Sequence, residues 1–140
     1  MEYFQLEPEV AGGWGGNTQA DTSVHPPVVT KLHYEFDGWL GDSILETFPC
    51  FIVTVDLGNA LSESNLTGFS LESVEISKSE QFVEFYPERE LPEFFWLKIG
   101  KNAGLEDFGI NDQHRLVISS SALEVLQKFG LDNCEIEQYG

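Results

Sequence analysis

Apolar residues in this chain come in short runs, and glycine or proline brackets most of them. Val28 to Phe36 (VVTKLHYEF) runs from Pro27 to Asp37-Gly38, Phe51-Ile52-Val53 follows Pro49, and Phe94 to Ile99 (FFWLKI) lies between Pro92 and Gly100. Punctuation this dense rules out a coiled coil or a long amphipathic helix. No run approaches the roughly 18 apolar residues that span a bilayer. What remains is a set of short strands and helices that must share one core. The 140 residues suit one domain, since domains commonly take about 100–200.

Local signals divide the chain into elements. Tyr3 to Leu6 has strand character, and 11–27 is a Gly/Pro-rich stretch that predicts a long loop. Val28 to Phe36 is rich in β-formers and predicts a strand. Asp37 to Asp42 is a turn leading into a short amphipathic piece, Ser43 to Phe48, counted as the first of four short helices. Thr54 is placed to cap a second helix reaching Ser64, with Leu57, Ala60 and Leu61 on one face. Phe69 to Ile76 predicts a strand with a bulge, and Ser79 caps a helix to Tyr86. Two more strands are predicted at Phe94–Ile99 and His114–Ser119, with a turn at 105–112 between them. Ser121 and Glu124 have capping-box spacing for a helix ending near Gly130, where a left-handed residue is expected. An alternating strand from Cys134 to Tyr139 closes the series. Strands and helices mix without a regular βαβ repeat, so the predicted class is α+β: one domain, residues 1–140, with a mixed, largely antiparallel sheet and three to four short helices.

Twenty-four Asp and Glu oppose seven Lys and Arg, for a formal net charge of -17. The 13% aromatic content separates this chain from disordered acidic tails, which lack aromatics. Such an excess repels phosphate backbones and anionic membranes, so neither nucleic acid nor membrane is an expected partner. It attracts basic proteins and speeds their capture. Mutual repulsion also favours a monomer over a homodimer.

Searches for catalytic chemistry come up empty. Gly12-Gly13-Trp14-Gly15-Gly16 lacks the Lys-Ser/Thr of a phosphate loop. His25, His33 and His114 have no metal-ligand spacing, and no calcium-loop spacing occurs, so no metal or cofactor is predicted. Cys50 adjoins an apolar run and predicts a buried free thiol; neither it nor Cys134 belongs to a CxxC pair. Carboxylates are too numerous to single out a catalytic pair. The first residues lack a basic segment followed by an apolar core, which predicts a cytoplasmic protein without a secretion signal.

Two segments stand out as candidate partner-binding residues. One is the turn Asp37-Gly38-Trp39-Leu40-Gly41-Asp42, where Trp39 is bracketed by Asp37 and Asp42; tryptophan is favoured at binding hot spots. The other is the acidic stretch carrying Glu80, Glu84, Glu88 and Glu90, of which Glu80 and Glu84 share a helical face.

Taken together, Val24-His25-Pro26-Pro27-Val28-Val29, His33 to Asp42, Pro49 to Thr54, Phe95 to Ile99, Asp107-Phe108-Gly109, Arg115 to Ser119 and Ala122 to Leu131 with Asn133 to Ile136 resemble immunity proteins of bacterial polymorphic toxin systems, including those of type VI secretion. In particular they resemble the family typified by a Myxococcus immunity protein. The resemblance covers most of the chain and carries no catalytic residues. It implies a cytoplasmic antitoxin that binds and neutralises a cognate toxin effector by protein–protein contact, with a nuclease of basic active site one such target. The rival expectations are an effector-loading chaperone or adaptor, and a small enzyme with a carboxylate-lined cleft.

Overall fold

A computed structural model describes residues 2–140 of the chain. It opens with strand β1 (Tyr3–Glu7), then β2 (Gly12–Trp14), β3 (Gln19–Asp21) and β4 (Val28–Lys31). Strands β5 (His33–Phe36), β6 (Ile44–Thr47) and β7 (Cys50–Thr54) lead into helix α1 (Val55–Glu63). Strands β8 (Phe69–Ser73) and β9 (Glu75–Lys78) precede helix α2 (Glu80–Phe85). Strands β10 (Phe94–Ile99), β11 (Phe108–Ile110) and β12 (Leu116–Ser119) precede helix α3 (Ser120–Phe129), and β13 (Glu135–Tyr139) comes last. The class is α+β, mainly β, in several mostly antiparallel sheets.

The sheet β6-β7-β10-β8 forms the middle of the fold, with apolar clusters on both faces. Side chains alternate across a strand, so a strand buried on both faces reads as an unbroken apolar run. In β7, Phe51 and Val53 join one cluster while Cys50 and Ile52 join the other. In β10, Leu97 and Phe95 face the first cluster, and Phe94 and Trp96 the second. The first cluster is completed by the sheet β11-β12-β1-β13 and by helices α1 and α3, through Leu6, Leu116, Ile118, Leu57 and Leu126. The second is closed by the sheet β2-β5-β9 and by Phe82 of α2, over Tyr34 and Phe36.

Thr54 caps α1, its hydroxyl accepting from the Leu57 N–H at 3.3 Å. Ser79 caps α2 in the same way from Phe82 N–H at 3.1 Å. Both caps lie where the sequence predicts them. At α3 the cap is Ser119 instead of Ser121: its hydroxyl accepts from Ala122 N–H at 3.2 Å and donates to Asp107 Oδ1 at 2.6 Å. β12 runs directly into the helix, so the last extended residue does the capping, and Ser121 lies in the first turn. Gly130 ends α3 with φ +108° and ψ +114°, a positive φ outside the left-handed helical well expected there.

Four further expectations are corrected. Ser43–Phe48 is strand β6, whose Ile44 and Leu45 fill opposite clusters, leaving three helices among the described residues. The 11–27 segment is not all loop, because β2 pairs with β5 and β3 with β4. The 105–112 turn contains β11, paired with β12. Val28–Phe36 and Phe69–Lys78 are each two strands that change sheets at Leu32 and at Val74.

Candidate functional site

β5 and β9 run parallel, in register from His33↔Glu75 to Phe36↔Lys78. Parallel strands end at the same edge of their sheet, so the two segments leaving them emerge side by side. After β5 comes the Asp37–Asp42 turn; after β9 comes α2, and Ser79 N–H donates to Phe36 O at 2.9 Å to extend the ladder. The two candidate segments, 42 residues apart at Asp37 and Ser79, therefore meet on one surface.

The turn is held from below. Asp37 and Gly38 N–H both donate to Ala11 O, at 2.9 and 3.3 Å, and Leu40 N–H donates to Glu9 Oε2 at 2.7 Å. The Trp39 indole N–H donates to Asp42 O at 2.9 Å, closing the turn on itself. The ring lies edge-on to Phe94 at 6.2 Å, and the Arg89 guanidinium stands 5.1 Å over its face. The Tyr86 ring packs beside Gly38, where an added Cβ would meet Cε2 at 3.5 Å. Trp39 is thus half-buried, an anchor of the turn with one face under Arg89, which follows α2 in the chain.

Asp42 departs from the sequence expectation. Only 1% exposed, it accepts from Asp132 N–H, Asn133 N–H and Asn133 Nδ2 at 3.0, 2.9 and 3.0 Å. Its carboxylate is consumed inside the fold and presents nothing to a partner. Asp37, Glu80, Glu84, Glu88 and Glu90 are all exposed.

Helix α2 buries only Phe82. Its remaining apolar side chains face outward: Val83 is 54% exposed, Phe85 65% and Tyr86 47%, with Leu40 of the neighbouring turn at 70%. Large apolar side chains gathered this way and rimmed by charge mark interaction surfaces. Lys78 closes the far side, its Nζ donating to Arg89 O at 2.6 Å and lying 5.2 Å from the Phe82 ring. The sequence flagged the carboxylates of this surface but not Val83, Phe85 or Leu40. The usable signal was a six-residue helix with apolar residues at 82, 83 and 85, too many for the one face so short a helix can bury.

Beneath the surface, burial raises the Glu9 carboxyl above its ordinary 4.5, against the opposing Leu40 and Asp42 N–H bonds. Burial raises Glu46 likewise, against the attraction of Arg115. A carboxyl whose folded value is raised binds its proton more tightly in the native state than in the unfolded chain. Stability then grows as pH falls through the raised values toward 4.5. Relief of the -17 charge acts in the same direction. The thermal midpoint is expected to be higher near about pH 5 than near about pH 8; a midpoint lower near about pH 5 than near about pH 8 would contradict this assignment.

The histidines and cysteines resolve separately. His33 is buried; Asn17 N–H donates to its Nδ1 at 3.2 Å, which leaves Nε2–H to donate to Ser77 Oγ at 2.7 Å. His25 and His114 meet edge to face at 5.4 Å beside Phe48. No group of three or more potential metal ligands occurs among the described residues. Both cysteines are free, and burial pushes the Cys50 and Cys134 thiols up to about 12, which keeps them protonated and poorly nucleophilic at neutral pH. No helix among the described residues is long and apolar enough to cross a membrane.

Comparison with protein families, with curated proteins and with solved structures finds no match to this chain. The class defined by fold and surface is an α+β domain, strongly acidic, with an aromatic patch between a tryptophan turn and a short glutamate-rimmed helix.

Proposed function

We propose that the protein is an immunity-type inhibitor that binds and neutralises a cognate toxin effector through the surface formed by the Trp39 turn and α2. The observation that carries this reading is the exposure of Leu40, Val83, Phe85 and Tyr86 on two segments that emerge side by side, together with exposed Glu80, Glu84, Glu88 and Glu90. An apolar centre within a charged rim is the anatomy of a protein interface. At a net charge of -17 the favoured partner is basic, such as a nuclease toxin with a cationic groove. A protein of this kind acts in the cytoplasm of the toxin's producer, as one copy per toxin.

The test is co-expression and co-purification with the toxin encoded beside it, scored by toxin activity and by cell survival. Stable association that abolishes activity supports inhibition. Association that leaves the toxin active supports a loading chaperone or adaptor. No association at low salt removes both readings. The Glu80→Lys/Glu84→Lys double variant is expected to slow association about tenfold with little change in dissociation. Phe85→Ala is expected to speed dissociation and weaken binding about thirtyfold, the effect of truncating a hot-spot aromatic. Surface-plasmon kinetics on both variants checks these outcomes, and an unchanged association rate in the double variant removes α2 from the interface. The alternative of a carboxylate-lined catalytic cleft has little support from the cleft floored by Phe51 and Trp96, whose lining carries a single carboxylate, Asp112.

A further inference from the structure

A cleft of about 690 Å³ opens away from the Trp39 surface, between the β3–β4 ribbon and the β11–β12 connection. Its floor is the start of β7 and the end of β10, including Phe51 and Trp96, and its walls include Pro26, Pro49 and Ile110. The volume falls within the range of small-molecule sites, about 300–1,000 Å³. No residue of the tryptophan turn or of α2 lines it.

The charge of this cleft departs from that of the molecule. Two of the seven Lys and Arg (Lys98 and Lys101) and two of the three His (His25 and His114) line it, against the one carboxylate of Asp112. Lys98 is held in place, its Nζ 2.8 Å from Glu72 and 4.9 Å from the Trp96 ring. Lys101 is exposed and forms no ion pair among the described residues. In a chain of -17, an exposed lysine that pairs with no carboxylate among the described residues, not even Asp112 of the same lining, is free to receive an anion at an apolar cleft.

We infer that the cleft binds a small monoanion with a flat apolar body, an aromatic carboxylate, whose ring lies over the Trp96 end of the floor and whose carboxylate meets Lys101. Single charge follows from the balance of fields. Beyond a Debye length of about 8 Å the protein's negative charge is screened, but a phosphate or other polyanion would still face Asp112, which lines the cleft, with Lys98 already paired to Glu72. One negative charge is matched by Lys101, and the apolar walls supply the rest of the binding. The flat body suits a lining that includes the rings of His25 and His114, which pack against each other and against Phe48 at centroid distances of 5.4 to 6.1 Å.

The experiment titrates the whole protein with naphthalene-2-carboxylate and with its neutral carboxamide, by calorimetry and by ¹H–¹⁵N shifts. The carboxylate is expected to bind with shifts at the Trp96 indole, Ile110 and Lys101, and the amide at least about fivefold more weakly. Lys101→Ala, at an exposed position, is expected to weaken the carboxylate to the level of the amide. Equal affinity for the two probes, an unaffected Lys101→Ala variant, shifts centred on Phe85, or no binding at all would each overturn the inference. Phe85→Ala leaves probe affinity unchanged, so failure here is separable from failure of the toxin-binding reading.

Discussion

Replacing Asp42 by alanine is expected to lower the stability of the fold by about 3 kcal/mol, or about 10 °C in thermal midpoint. The carboxylate joins the tryptophan turn to the chain just past α3, a connection spanning 90 residues of sequence. It accepts three N–H bonds from Asp132 and Asn133 at 2.9 to 3.0 Å and forms no ion pair among the described residues. A hydrogen bond to a charged group contributes about 1.5–3 kcal/mol, and removing the acceptor strands its donors. The three bonds share one carboxylate, so their effects do not add. Asp42→Asn keeps the volume and one acceptor oxygen but turns an amide N–H₂ toward a donor, and falls between wild type and alanine. Asp37, at the other end of the same turn, is exposed, so Asp37→Ala stays within about 0.5 kcal/mol. Urea unfolding followed by tryptophan fluorescence measures all three variants. Equal effects at Asp37 and Asp42 would mean that the buried network contributes nothing.

The contrast between these aspartates shows where the sequence stops being informative. Asp37 and Asp42 flank Trp39 on either side in the chain, and nothing local says that one faces water and the other Asn133. What separates them is a contact with a segment 91 residues away. Caps were legible at Thr54 and Ser79, where the right residue type stands alone before the helix. At Ser119-Ser120-Ser121 three candidates compete, and the end of β12 decides among them. The central strands were legible because burial on both faces leaves an unbroken apolar run, as in Cys50–Val53 and Phe94–Leu97. The change of sheet at Leu32 left no trace, since the backbone stays extended on either side and only its partner changes, and that at Val74 showed only as the break in alternation that predicts a bulge. The same blindness hid the proposed binding surface. Charge and aromatics picked out both of its segments, but their adjacency comes from the parallel β5–β9 pairing, which no local pattern specifies.

Glycine gave the most misleading signal, and two neighbouring residues provide a sharp test of why. Gly12 and Gly13 lie in a run that predicts a loop, yet both belong to β2, opposite Phe36 and Glu35. Neither has a positive φ, so conformational freedom is not what their positions require. At Gly12 the requirement is space: a Cβ there would overlap the Glu35 carbonyl of β5, a backbone atom that cannot swing aside. At Gly13 a Cβ would meet nothing within 4 Å. Gly12→Ala is therefore expected to cost about 2–3 kcal/mol, as overpacking against fixed backbone does. Gly13→Ala is expected to be neutral or stabilising by up to about 1 kcal/mol, because alanine leaves the unfolded chain fewer conformations to lose. The consequence reaches the binding surface, since Ala11, next to Gly12, supplies the carbonyl that holds Asp37 and Gly38 N–H. Pushing β2 off β5 loosens the seat of Trp39, so under the proposed function Gly12→Ala should weaken binding of the partner as well as the fold, while Gly13→Ala leaves both intact. Chemical denaturation and binding kinetics on the two variants decide the matter, and equal behaviour of the pair would show that the glycines serve flexibility after all.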